Sequence, residues 1–130
     1  MITMIEESNT KTINEYPALI EATALALHIA SKVLERRREI SSLHASEIKL
    51  EIINAKTEAG KPLYGNETSR ECAIADVLAR DEVFQHFTEE CDEAERLKVE
   101  LAVKLERLRA EYRLALIGSE ADKLGRRVAA

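Results

Sequence analysis

The sequence predicts an all-α protein, built as a long antiparallel helical hairpin with coiled-coil-like packing and a short helix after the turn. The composition is typical of long helices, because the 130 residues include only 4 glycines, 2 prolines and 4% aromatic side chains. No Gly or Pro interrupts residues 18–59, and an apolar heptad pattern extends from Phe84 to Ala115. Two long helices packed on each other are the simplest arrangement of these segments.

The first helix is predicted to begin at Pro17, because a proline at the first helical position has a preset φ and lacks only an N–H that would be unpaired there. It spans roughly 40 residues, or about 60 Å at the helical rise. Two apolar stripes run along this helix, and together they present a wider apolar surface than one partner helix can cover. The first stripe, predicted to be the packing seam, comprises Leu19, Ala22, Ala26, Ile29, Val33, Ile40, Leu43 and Leu50, interrupted by Arg36 and Glu47; the second comprises Leu27, Leu34, Ile48 and Ile52.

A cluster of helix-breaking residues at 60–66 predicts the turn of the hairpin. Gly60 fits a left-handed C-cap of the first helix, and Pro62 prevents that helix from continuing. Either Asn66 or Thr68 can cap the next helix, because both side chains accept hydrogen bonds from the free N–H groups of a first turn.

A short helix is predicted over residues 67–79, where Thr68 and Glu71 have the spacing of a capping box. Asp81 then marks either a second N-cap or a kink. A long helix follows from about Glu82 to Ile117, and Gly118 is predicted to end it.

The last helix carries the most regular pattern in the chain, with steps of three and four residues that continue without a slip. Three regions follow: a flexible arm at 1–16, a helical hairpin domain at 17–118 and a polar C-terminal tail at 119–130. The heptad positions are Phe84, Phe87, Cys91, Ala94, Lys98, Leu101, Leu105, Leu108, Tyr112 and Ala115.

The net charge is −5, from 19 basic and 24 acidic side chains, so no whole-molecule field attracts nucleic acid or an anionic membrane. Residues 1–16 lack the apolar core of a signal peptide, and no apolar run is expected to reach the ~18 residues of a membrane span. We therefore expect a cytoplasmic protein without membrane contact. Two cysteines are too few for a disulfide framework, and both are expected to be reduced thiols.

Metal-ligating residues are not predicted. None of the three histidines, at 28, 44 and 86, has a glutamate three residues before it, so the ligand pattern of di-iron bundles is missing. Glu82 and His86 share a helix face near Cys91, but without an HExxH motif or paired cysteines this arrangement is weak evidence for zinc.

Catalytic and cofactor-binding residues are not predicted either. Cys72 is either a packing residue or a partly exposed thiol, and it has no recognisable catalytic partner. Residues 60–62 are not a phosphate-binding loop, because Ala55 replaces the first glycine of that motif, Pro62 replaces its Ser or Thr, and a helix precedes it. The sequence therefore predicts a protein that is not an enzyme and needs no cofactor.

Arg36, Arg37 and Arg38 form the most concentrated positive site. Three consecutive arginines on a helix point across most of its circumference, and one interpretation is a phosphate-binding stripe that contacts nucleic acid. The alternative is a solvated face partly neutralised by Glu35 and Glu39, and no aromatic side chains lie nearby to stack with bases.

Residues 61–116 contain Asn66-Glu67-x-x-Arg70, the step Asp81-Glu82-x-Phe84 and the charged heptad helix. This stretch resembles small helical proteins encoded by phages and mobile elements, a group without a catalytic signature. The resemblance implies an accessory role beside DNA-processing or assembly proteins, in which Asn66, Glu67 and Arg70 would matter. The alternative for these three residues is a helix cap and an ion pair that hold the turn.

Together these patterns predict a structural or interaction protein that presents an elongated helical surface to a protein partner. We expect a homodimer in which two hairpins form a four-helix bundle, because this covers the excess apolar stripe. The alternative function is a nucleic-acid-associated accessory factor that uses Arg36, Arg37 and Arg38 and the basic half of the last helix, and an enzyme ranks third.

Overall fold

The computed structural model describes residues 11–129, with side chains up to Arg127, and this part of the chain is almost entirely helical. A short 3-10 helix, Ile13–Glu15, leads into α1 (Tyr16–Asn54), which is followed by α2 (Glu67–Arg80) and α3 (Glu82–Ala129). The only β-type pairing within residues 11–129 is an isolated bridge between Lys56 and Pro62. The predicted all-α fold, with a long helix packing against a later one, is confirmed.

The described residues divide into two compact units, each of which pairs a segment of α1 with a segment of α3. The first unit contains residues 11–30 and 97–129, and the second contains Ser31–Arg96 with α2. Within the second unit the helices are antiparallel, because His44 contacts Asp81 whereas Arg37, earlier in α1, contacts Glu90, later in α3.

The heptad pattern of α3 is confirmed as the buried side of this helix. In the second unit Ala94 is buried, and Phe84, Phe87 and Cys91 are half-buried. In the first unit Leu105 and Leu108 are buried, and the remaining heptad positions, Lys98, Leu101, Tyr112 and Ala115, are half-buried.

The buried side of α1 in the second unit is the second apolar stripe, so the prediction that the first stripe forms the seam is wrong there. The seam runs through Leu34, Arg37, Ser41, His44, Ile48 and Ile52, which are buried or half-buried, whereas Val33, Ile40, Leu43 and Leu50 are exposed. Three polar side chains lie in this seam and interrupt its apolar pattern. A ranking by apolar content alone therefore favours the wrong stripe.

Both ends of α1 differ slightly from the prediction. The helix begins at Tyr16, one residue before Pro17, and ends at Asn54. Residues 1–10 of the predicted arm lie outside the described residues. Tyr16, the last residue of that arm, is buried in the first unit and packs on α3.

The loop after α1 closes on itself. The N–H of Gly60 donates to the carbonyl of Thr57 at 2.9 Å, and the N–H of Thr57 donates to the carbonyl of Lys61 at 2.7 Å. Gly60 has φ +79°, the left-handed region predicted for it, but it lies in this turn and is not the C-cap of α1. A side chain is strained at this φ, which explains glycine in the turn.

The caps of α2 and α3 are local and were largely predicted. Asn66 Oδ1 accepts from the N–H of Ser69 at 2.7 Å, and Ser69 completes a capping box, so Asn66 rather than Thr68 caps α2. Asp81 Oδ1 accepts from the N–H of Phe84 at 2.7 Å, which confirms Asp81 as the N-cap of α3.

The C-terminal end of α3 corrects another prediction. The helix passes through Gly118, so this glycine does not end it, and residues 119–129 of the predicted polar tail are helical. One interior glycine costs a helix only about 1 kcal/mol relative to alanine, which is too little to terminate it.

Candidate interaction surface

An exposed row of side chains follows α1 in the second unit beside the buried seam. We call it the α1 stripe: Val33, Arg36, Ile40, Leu43, Glu47 and Leu50. Its members alternate steps of three and four residues, as in a coiled-coil interface. Val33 and Ile40 are 41% exposed, Leu50 58% and Leu43 65%, so large apolar side chains face solvent on an otherwise regular face.

The α1 stripe precedes the buried seam by one residue at successive positions: Val33 precedes Leu34, Ile40 precedes Ser41, and Glu47 precedes Ile48. One residue of an α-helix corresponds to about 100° of rotation. The stripe and the seam therefore lie on neighbouring sides of α1, so that α3 covers the seam and leaves the stripe free.

The three candidate arginines do not share one surface. Arg37 is half-buried, and its Nη1 donates to the carbonyl of Glu90 at 3.0 Å, which ties α1 to α3. Arg38 lies 3.6 Å from the Glu95 carboxylate, with both side chains largely exposed. Arg36 lies in the α1 stripe and has no hydrogen bond or ion pair to another described residue. Of the three, Arg36 alone has no polar contact within the described part of the chain.

Sequence reasoning missed a polar contact in the seam. His44 Nε2 lies 3.1 Å from Asp81 Oδ1, and the imidazole packs edge-on against Phe87 with ring centroids 5.6 Å apart. The hydrogen bond from the Phe84 N–H, and then the one from His44, lower the pKa of the Asp81 carboxyl. The sequence indicated Asp81 as a capping residue, and its carboxylate can accept a second hydrogen bond. Nothing in the sequence identified His44, 37 residues away, as the second donor.

The predicted constellation of Asn66, Glu67 and Arg70 forms the first turn of α2. The N–H of Arg70 donates to the carbonyl of Asn66 at 3.1 Å, which starts the helix. Among the described residues no ion pair within 4.0 Å joins the side chains of Glu67 and Arg70. Of the helix cap and the ion pair expected as the alternative, the cap is therefore present at Asn66. The described side chains of Asn66, Glu67 and Arg70 do not together form a polar site.

A second cluster missed by the sequence analysis lies in the first unit. The rings of Tyr16 and Tyr112 stack with centroids 5.7 Å apart, and Lys11 Nζ lies 3.8 Å from Glu111 Oε2. Burial, followed by the negative charge of Glu111, raises the pKa of Tyr16. These contacts join the start of α1 to α3.

A second exposed apolar row lies on α3 in the first unit. We call it the α3 outer row: Val99, Val103, Leu114, Ile117 and Leu124, all more than half exposed. It lies away from the heptad positions that pack on α1. Two recesses on α3, around Tyr112 and around Leu124, are each lined by this helix alone, so they are open depressions rather than enclosed sites.

The segment Ile13–Asn54 is long and apolar enough to cross a membrane, judged by length and composition alone. The expectation that no apolar stretch reaches the ~18 residues of a membrane span therefore does not hold when up to two charged residues are allowed within the stretch. Only 17% of the relevant window is buried, less than a core helix would show. Cytoplasmic location therefore stays a prediction. Within residues 11–129 no group of three or more His, Cys, Asp or Glu side chains is placed to hold a metal ion.

Comparison with known proteins supplies no relative for this chain, because no family model, curated protein or solved structure matches it. The described part of the chain is all-α, with exposed apolar rows that none of the other described residues covers. The resemblance to phage and mobile-element proteins stays a prediction.

Proposed function

We propose that this protein is a non-enzymatic interaction protein that self-associates through the α1 stripe and offers its remaining helical surface to a protein partner. The observation that carries the proposal is the α1 stripe itself, a row of exposed large apolar side chains beside the seam that α3 covers. Helices in bundles contact neighbours on two adjacent sides, and α1 has two such sides.

The amount of exposed apolar surface supports this proposal. Among the described residues eight apolar side chains are buried, whereas seventeen large ones are exposed. Fully burying a Leu or Ile side chain contributes roughly 1.5–3 kcal/mol, and a half-exposed one about half of that. The apolar members of two α1 stripes therefore supply several kcal/mol, which is the order of the cost of association.

The α3 outer row is the surface we assign to the protein partner. It belongs to the first unit, whereas the α1 stripe belongs to the second, so the two surfaces share no residue. A row of Val, Leu and Ile at helical spacing suits an amphipathic helix of the partner, which would bury its own apolar face there.

The alternative is a nucleic-acid-associated accessory factor. Its support is weaker, because Arg37 donates to a main-chain carbonyl and Arg38 pairs with Glu95, which leaves Arg36 as the one uncommitted arginine of the three within the described residues. A phosphate-binding surface needs several free cations.

Sedimentation equilibrium at micromolar concentration tests the proposal, with an expected mass of twice 14.6 kDa. Leu43→Asp should yield monomers, because it places a charge in the stripe. Ser42→Asp is the matched control, since Ser42 is exposed one residue away and off the stripe. A wild-type mass of 14.6 kDa would overturn self-association. Retention on DNA at low salt that is lost when Arg36, Arg37 and Arg38 become Gln would favour the alternative.

A further inference from the structure

The two charged positions of the α1 stripe are placed symmetrically within it. Between Val33 and Leu50 the steps are three, four, three, four and three residues, so the spacing is the same in either chain direction. The midpoint falls between Ser41 and Ser42. Arg36 and Glu47 are equidistant from this midpoint, with opposite charges.

We propose that a second copy of this chain packs on the α1 stripe in the antiparallel direction, with a two-fold axis that crosses the stripe between Ile40 and Leu43. This inference rests on the proposed self-association and specifies its geometry. Reversal about that midpoint sets Val33 beside the partner's Leu50 and Ile40 beside the partner's Leu43. It also sets Arg36 beside the partner's Glu47, twice in each dimer.

Charge complementarity selects this arrangement. Arg36 and Glu47 are both exposed, and neither has an ion pair or hydrogen bond to another described residue. In an apolar interface each would be costly without an opposite charge. The antiparallel pairing supplies that charge to all four side chains of the dimer.

Other arrangements leave these charges badly placed. A parallel, in-register dimer sets Arg36 against Arg36 and Glu47 against Glu47, so like charges meet inside the interface. An antiparallel dimer shifted by seven residues sets Glu47 beside an apolar Leu43. The pair Arg36 and Glu47 therefore specifies both direction and register, as polar residues do in coiled coils.

Charge reversal combined with sedimentation equilibrium tests the geometry. Arg36→Glu alone and Glu47→Arg alone should each raise the dimer Kd about tenfold or more, because two attractive pairs become repulsive. The double variant Arg36→Glu/Glu47→Arg restores both pairs and should return the Kd to within about threefold of wild type. Lys49→Glu is the matched control, an exposed charge reversal on the same helix away from the stripe.

The outcomes separate this inference from the proposed function. Helical content measured by circular dichroism should match wild type in every variant, since both positions are exposed. A dimeric wild type whose Kd is unchanged by the single reversals, or not recovered in the double variant, overturns the antiparallel geometry and leaves self-association standing. A monomeric wild type overturns both.

Discussion

Shortening Leu108 to alanine tests the packing of α3 on α1 in the first unit. Leu108 is 1% exposed, and it is the large side chain most completely enclosed among the described residues. Removing a buried leucine costs the transfer free energy of the lost atoms and leaves a cavity, about 3–5 kcal/mol at a site this enclosed. For a chain of this length that loss corresponds to a Tm lower by roughly 10 to 20 °C.

Thermal unfolding followed by circular dichroism at one fixed protein concentration measures this effect, since the proposed self-association would make Tm depend on concentration. Leu114→Ala is the matched control, because Leu114 lies on the same helix and is 69% exposed. Its Tm should stay within a few degrees of wild type, about 0.5 kcal/mol in stability. Equal Tm values for the two variants would refute the assignment of the heptad positions as the buried side of α3.

Two further predictions concern the ends and the interior of the helices. Asp81→Asn should destabilise the protein near neutral pH. Because folding lowers the pKa of Asp81 below its ordinary value of 3.8, the contribution of the charged carboxylate is fully present above about pH 5 and is lost as the pH falls through the lowered pKa. Urea titrations of wild type and Asp81→Asn at several pH values should show a difference in the free energy of unfolding that becomes smaller in acid. A difference that does not change with pH would contradict this prediction. Gly118→Ala should stabilise the protein by about 0.5–1 kcal/mol, because Gly118 is interior to α3 and a Cβ there has no neighbour within 4 Å. Destabilisation measured by urea unfolding would indicate a helix end at Gly118.

Features specified by neighbouring residues were the most predictable from the sequence. The heptad of α3 has a single charged position, Lys98, so its apolar period identifies the buried side directly. The caps Asn66 and Asp81 act on N–H groups three residues ahead, and short spacing in the sequence reveals them.

Features that depend on distant residues were not predictable in the same way. The seam of α1 contains Arg37 and His44, whose acceptors, the carbonyl of Glu90 and the carboxylate of Asp81, lie 53 and 37 residues away. Because the sequence does not reveal those acceptors, both side chains look like polar interruptions of an apolar pattern. The choice between two apolar stripes is therefore made by tertiary hydrogen bonds that periodicity does not contain.

The one-residue offset between the α1 stripe and the seam has a mechanical consequence. Turning α1 about its own axis by about 100° within the second unit would bring Val33, Ile40 and Leu43 to face α3 in place of the seam. Apolar contact alone opposes this turn weakly, because both sides of the helix offer leucine and isoleucine. The contacts of Arg37 and His44 with α3 exist in one rotational setting only. The hydrogen bonds of these two polar side chains therefore fix the rotation of α1 about its own axis, which apolar packing alone leaves weakly determined.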